Sequence, residues 1–138
     1  MGRGPLSYVL QIGELTFLLD CGWDECLSEE LAAPLKEWAP KIDAVLLSHC
    51  DMEHIGALPY AVGKLGLGAP IYATLPIQKM GFLLMYDQSI SRSNEGSQLL
   101  DLDDIDAAFT KIQPLRFHQR KALQGKCAGV TVTPFCAG

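Results

Sequence analysis

The chain has 138 residues, a formal net charge of −5 and an apolar fraction of 49%. That length fits one domain or a piece of a larger one, and the composition is ordinary for a packed core. No apolar run reaches the roughly eighteen residues of a membrane-spanning helix, Met-Gly-Arg-Gly-Pro at the start lacks the apolar centre of a secretory signal, and the acidic balance argues against general attraction to nucleic acid.

Ser7 to Ile12 and Leu15 to Leu19 are apolar runs joined at Gly13-Glu14, the pattern of a β-hairpin. Asp20-Cys21-Gly22 follows as a turn. Ser28 is expected to cap a helix through Trp38 that Pro34 bends. Ala44 to Ser48 reads as a short buried strand, as in a sheet covered on both faces. Gly56 to Leu67 reads as a helix with Pro59 in its first turn, ended by Gly66 and Gly68. Ile71 to Thr74 is expected as a strand. Pro76 opens a long helix through about Ser91, with Ile77, Met80, Phe82, Leu84 and Met85 on its apolar faces. Ser91 to Gly96 reads as a polar loop, and Asp103 to Lys111 as an acid-headed helix. Ile112 to Phe117 and Val130 to Phe135 read as strands. Strands alternate with helices, so the class is α/β or mixed α+β. The chain stops just after the last of these strands, and residues 1–138 are therefore expected to be the N-terminal portion of a domain in a longer protein.

Five cysteines, Cys21, Cys26, Cys50, Cys127 and Cys136, show no recognised spacing. Their odd number and the missing signal favour free thiols in a reducing compartment, each read first as a small buried hydrophobe.

The chemistry concentrates between Leu46 and Gly56, in Leu-Leu-Ser-His-Cys-Asp-Met-Glu-His-Ile-Gly. An apolar run stops at a group of potential metal ligands, and a helix follows. Strand end, loop and helix start is where an open α/β fold presents its chemistry. His49 and His54 enter one loop from a strand end and together point to a metal-site origin, although a single histidine is more often bonded to backbone. Asp51 is a candidate carboxylate ligand, weighed against a turn residue making an Asx hydrogen bond before the helix. Glu53 is weighed against an ordinary acid in the first turn. Asp20, at the end of its strand, is a candidate orienter that holds the ligand loop through backbone N–H groups. Without a metal, Asp20, Asp51 and Glu53 would crowd, and His49 and His54 are the nearest cations to relieve them. Gly56 permits close packing of the helix start.

The remaining signals are weak. His118 has no motif around it and reads as a strand-end histidine. Arg116, Arg120, Lys121 and Lys126 form the basic stretch, which in an acidic chain is first a solvated edge. No Gly-x-Gly-x-x-Gly, P-loop or Gly-x-Ser-x-Gly is present. Ser48 beside His49 is not expected to form a serine–histidine pair.

The loop resembles the metal-binding signature of the metallo-β-lactamase superfamily, His-x-His-x-Asp-His-x-Gly. His49 and His54 match its histidines, while Asp51 stands for its second histidine and Glu53 for its aspartate. Leu-Leu-Asp-Cys-Gly-Trp-Asp-Glu (18–25), Ile-Asp-Ala-Val-Leu-Leu-Ser-His (42–49), Gly-Ala-Leu-Pro-Tyr-Ala-Val-Gly-Lys-Leu-Gly-Leu (56–67), Ile-Tyr-Ala-Thr (71–74) and Leu-Asp-Asp-Ile-Asp-Ala-Ala-Phe (102–109) narrow the match. Together they resemble the subunit 2 family of the cleavage and polyadenylation specificity factor, in the β-CASP group of that superfamily.

The resemblance implies a metallo-β-lactamase αββα sandwich interrupted by a second domain. It implies the inactive partner of a zinc endonuclease that cuts pre-mRNA, placed in the nucleus, with that endonuclease subunit and a symplekin-like scaffold as partners and pre-mRNA reached through the complex. Asp51 agrees with that family, whereas Glu53 departs from the apolar residue usual there. The family's later histidine and aspartate ligands lie beyond this chain. The expectation is a protein without catalytic residues, bound metal or cofactor, in which Asp20, His49, Asp51, Glu53 and His54 are vestigial site positions. The alternative is an active metal-dependent RNA hydrolase, with zinc or, for so oxygen-rich a set, manganese or iron. Direct RNA binding through Arg116 to Lys126 is the third reading.

Overall fold

The computed structural model describes residues 5–24, 29–94, 96 and 100–136. The hairpin forms as its pattern indicates, with β1 (Tyr8–Ile12) and β2 (Leu15–Leu19) antiparallel and Tyr8 opposite Leu19. Helix α1 spans Glu29–Trp38 with Pro34 inside it. Pro34 removes the amide that would reach the carbonyl one turn back. The proposed cap, Ser28, lies outside the described residues, as does Cys26.

β3 (Ala44–Leu46), β4 (Ile71–Thr74) and β5 (Ile112–Leu115) add to β2 in parallel, giving a five-stranded sheet in the order β1-β2-β3-β4-β5. Chain order and sheet order agree because each parallel step is made by a helical crossover on one face. The expected helix Gly56 to Leu67 forms over a shorter span as α3 (Leu58–Lys64), with Pro59 near its start, and a separate short helix not expected from the pattern, α2 (Met52–Ile55), precedes it. Helix thus begins inside the ligand loop itself. α4 runs Leu75–Asn94, three residues beyond the expected end. Nothing in Ser91-Arg92-Ser93-Asn94 forbids helix, and Ser89, buried in α4, donates its hydroxyl to the Leu100 carbonyl at 2.6 Å, tying the last turns to the following segment. Met80 is 60% exposed and does not join the core, whereas Met85 is fully buried. α5 (Leu102–Lys111) starts one residue early because Asp101 caps it, accepting from the Asp103 N–H at 2.8 Å.

The last strands are shorter than their apolar runs. β5 stops at Leu115, since the chain turns over Arg116 to Gln119 with His118 left-handed at φ 64°. A small second sheet pairs β6 (Lys121–Ala122), which the sequence pattern did not indicate, with β7 (Thr131–Val132).

Side chains alternate across the main sheet and divide the core in two. Leu18, Val45, Leu47, Ile71, Ala73 and Ile112 face the helices. Phe17, Ala44, Tyr72 and Leu115 face the other way and pack on Leu123 and Cys127 beside the small sheet. Strands covered on both faces need no polar side, which is why Ala44 and Val45 are both apolar and both fully buried. Among the described cysteines none is in a disulfide. Cys21 and Cys127 are buried as expected, while Cys50 is half-buried and Cys136 exposed.

Asp43 ties the two sheets together. Its carboxylate accepts the Thr16 N–H at 2.8 Å and pairs with Lys126 Nζ at 3.0 Å, and its own N–H donates to the Thr16 carbonyl at 2.8 Å. Burial pushes the Asp43 carboxyl up, but the Thr16 bond and the Lys126 charge outweigh it and hold the group below its ordinary value. A lowered carboxyl contributes stability that is present above its unfolded value, about pH 4, and is lost as pH falls through the folded one. Asp43→Asn is therefore expected to flatten the acid limb of stability below about pH 4. Chemical denaturation at several pH values checks this, and parallel acid limbs for parent and variant would refute it.

The turn after β2 crosses α2 at backbone contact distance. Leu6, Cys21 and Trp23 donate their N–H groups to the carbonyls of Glu53, His54 and Met52 at 2.8, 2.6 and 2.9 Å. A Cβ on Gly22 would lie 1.6 Å from the Glu53 carbonyl oxygen, so only glycine allows this crossing. Gly22→Ala should cost about 3 kcal/mol or more, at the upper end of overpacking effects. A denaturation midpoint equal to that of the parent would show that the crossing yields easily.

Candidate metal centre and its surroundings

The functional side chains converge where β2 and β3 end side by side. Parallel pairing sets Leu19 beside Leu46, so Asp20 and the loop after Leu47 leave the sheet at the same edge. Asp20 takes a left-handed backbone, φ 61°, which turns the chain out of the strand. Its N–H donates to the Leu46 carbonyl at 2.9 Å. One carboxylate oxygen accepts the Ser48 N–H at 2.7 Å and the other accepts the Ser48 hydroxyl, also at 2.7 Å. Asp20 thus grips the first residue of the ligand loop at two points.

Ser48 carries the grip onward, a link that sequence reasoning dismissed. Its Oγ lies 2.8 Å from His49 Nδ1. The hydroxyl proton is committed to Asp20, so the imidazole Nδ1–H is the donor and Oγ the acceptor. Ser48 is consequently a relay and not a nucleophile. Adjacency in sequence could not reveal this, because it depends on Asp20 arriving from another strand.

His54 is held in the same manner by a different group. Its Nδ1 bonds the Asp51 carboxylate, with the His54 side chain 13% exposed and that of Asp51 55% exposed. Asp51 occupies the N-cap position of α2, yet its side chain makes no cap hydrogen bond. The anticipated Asx bond is replaced by one to an imidazole. The His49 and His54 rings pack on each other with centroids 4.2 Å apart. Glu53 lies in the first turn of α2, where an acid suits the helix dipole, and its backbone carbonyl receives Leu6. A Cβ on Gly56 would stand 3.2 Å from Trp23 Cβ, which confirms the close packing expected at that residue.

Among the described residues, Asp20, His49 and His54 are the group whose potential ligand atoms gather, all within 4.8 Å of one another. Asp51 and Glu53 are not in that group. Donors around a tetrahedral zinc with bonds near 2.1 Å stand about 3.4 Å apart, so this set is looser than a formed shell. It fits one ion with three donors after small side-chain shifts. Among the described residues no further donor extends the set, since Asp51 is bonded to His54 and Glu53 lies outside the group. Cys21 adds no ligand: burial and then the Asp20 charge push its thiol far above the usual range. The carboxylates are relieved as expected at Asp51, by a histidine–carboxylate pair with His54, while Asp20 is bonded to Ser48.

His118 stands apart from this group. It donates its N–H to the Pro134 carbonyl at 2.8 Å and sets its ring edge against Phe135, centroids 5.4 Å apart. Of the basic stretch, Lys126 is paired with Asp43, and Arg116 and Arg120 are exposed.

Residues 9–138 match the family model described as the metallo-beta-lactamase superfamily domain. The chain is 50% identical over its whole length to the probable cleavage and polyadenylation specificity factor subunit 2 of Drosophila melanogaster, and 49% identical over 99% of its length to cleavage and polyadenylation specificity factor subunit 2 of Arabidopsis thaliana. It spans 18% of the length of each of these relatives. In fold it is similar to a flavo di-iron protein mutant from Thermotoga maritima, with a TM-score of 0.52 at 14% identity, covering 85% of this chain and 24% of that one. With a family model matched across nearly all its residues and a ligand loop at the matching strand end, the chain belongs to the metallo-β-lactamase superfamily.

Proposed function

We propose that this chain is part of a non-catalytic scaffold subunit of the nuclear pre-mRNA 3′-end cleavage and polyadenylation complex, pairing with the related endonuclease subunit. The named relatives, at 50% and 49% identity, support the place in 3′-end processing. The observation that carries the non-catalytic part is the donor set. Two of the four ligand positions in the loop are carboxylates, and one of these is bonded to a histidine that would have to serve the metal. The implied partners are the endonuclease subunit and a symplekin-like scaffold, with pre-mRNA reached through the complex. Among the described residues no helix is long and apolar enough to cross a membrane.

A second reading, an active metal-dependent RNA hydrolase, is favoured by one observation: Asp20, His49 and His54 do gather within 4.8 Å. A resident ion would supply a polarised water there, and the protein's part would be to orient the two imidazoles. Manganese or iron would suit the oxygen-rich set better than zinc.

The full-length protein is expected to show no metal-dependent RNA cleavage above background, and His49→Ala should leave cleavage by the assembled complex unchanged. Zinc-dependent cleavage by the isolated subunit that His49→Ala abolishes would reverse the assignment. Elemental analysis separates the readings independently: about two firmly held ions per chain, as in two-metal hydrolases, supports the enzyme, and none supports the scaffold.

A further inference from the structure

The ligand loop is a conspicuous arrangement to find without a complete set of metal donors. Backbone amides of Leu6, Cys21 and Trp23 and the side chains of Asp20, Ser48, His49, Asp51 and His54 converge on it. We infer that Asp51, together with the Asp20–Ser48 pair, forms a metal-independent staple that positions the His49 and His54 imidazoles and keeps residues 48–56 ordered. This rests on the scaffold reading and gives its loop a physical role.

Each imidazole is gripped at the same atom, Nδ1. His49 Nδ1 is held by Ser48 Oγ at 2.8 Å, and Ser48 is in turn fixed by both oxygens of Asp20 at 2.7 Å. His54 Nδ1 is held by the Asp51 carboxylate. Holding an imidazole by one nitrogen so that the other faces inward is how metal sites orient their ligands. Here each imidazole has its orienting group. Asp51 is the deciding residue. A histidine at that position would be one more inward donor. The aspartate faces sideways instead and bonds its neighbour three residues on, forgoing the cap of its own helix. The two rings, 4.2 Å between centroids, then pack on each other. Beneath them the N–H groups of Leu6, Cys21 and Trp23 fix the α2 backbone. Asp51 is thus a positioning residue, acting through His54.

The consequence is a surface at the sheet's edge whose shape does not depend on metal supply.

Hydrogen exchange of residues 48–56 in the full-length protein tests this, with and without EDTA and with added zinc. In the parent, exchange should be the same in all three conditions. Asp51→Ala should speed exchange across Cys50 to Ile55 by roughly tenfold, the scale of one lost charge-assisted hydrogen bond, while protection in the central strands is kept. Asp51→Asn, whose amide oxygen still accepts from Nδ1–H, should retain most of the protection. Unchanged exchange in Asp51→Ala, or Asp51→Asn behaving like Asp51→Ala, overturns the staple and leaves the scaffold reading standing. Loss of protection in the parent on EDTA, restored by zinc, overturns both. If Asp51→Ala loses protection in the strands as well, the Asp51→Asn and chelator arms decide.

Discussion

The structure depends on a backbone crossing. The segment from Asp20 to Trp23 leaves β2 and passes over α2 so closely that only a glycine at residue 22 clears the Glu53 carbonyl. Three amides donate across that crossing. Buried peptide groups must find partners, and here each side supplies what the other lacks: carbonyls from the single turn of α2, N–H groups from Cys21 and Trp23 after β2 and from Leu6 ahead of β1. A four-residue helix would not persist alone. It persists because the neighbouring turn and Leu6, ahead of β1, satisfy its backbone, and the ligand loop inherits its shape from that lacing.

The chemistry of the loop follows from where Asp20 arrives. Parallel pairing of β2 with β3 sets two strand ends side by side, and the carboxylate of one takes both the amide and the hydroxyl of Ser48 on the other. In a superfamily built for metal, such an aspartate would steady the loop that offers ligands. In this chain the steadying groups are intact, while Asp51 and Glu53 depart from the donor types that a hydrolytic centre calls for.

The sheet shows a division between its faces. Its helix-facing side is closed by α1 to α5, with Ile55, Leu58, Ile105 and Met85 fully buried. The opposite side carries Phe17, Tyr72 and Leu115 and is covered by the small β6–β7 sheet and Cys127. All five residues of β1 are exposed, and an edge strand with Tyr8, Val9, Leu10 and Ile12 in the open is a surface that other backbone readily pairs with. Asp43 and Lys126 bind the two sheets at one end, so the second layer is anchored by charge as well as by apolar contact.

Much of this was legible in the residues. The hairpin, the strand Ile71 to Thr74, the helix after Thr74 and the strand-end ligand loop follow from local pattern, because period and turn residues act over a few positions. Boundaries were less legible. Ser91 to Asn94 is polar yet helical, since Ser89 anchors that end of α4 to Leu100, and β6 is too short to carry a period. The site divides along the same line. Residue types alone marked His49, His54, Asp20, Asp51 and Glu53 as one set and showed that two of them depart from a hydrolytic signature. Tertiary structure alone decided that Asp20, His49 and His54 gather, that Asp51 turns aside to His54, and that Ser48 joins Asp20 to His49. Those choices rest on hydrogen bonds between segments 28 residues apart and on which way a side chain faces within one turn of helix, and neither is encoded in local spacing.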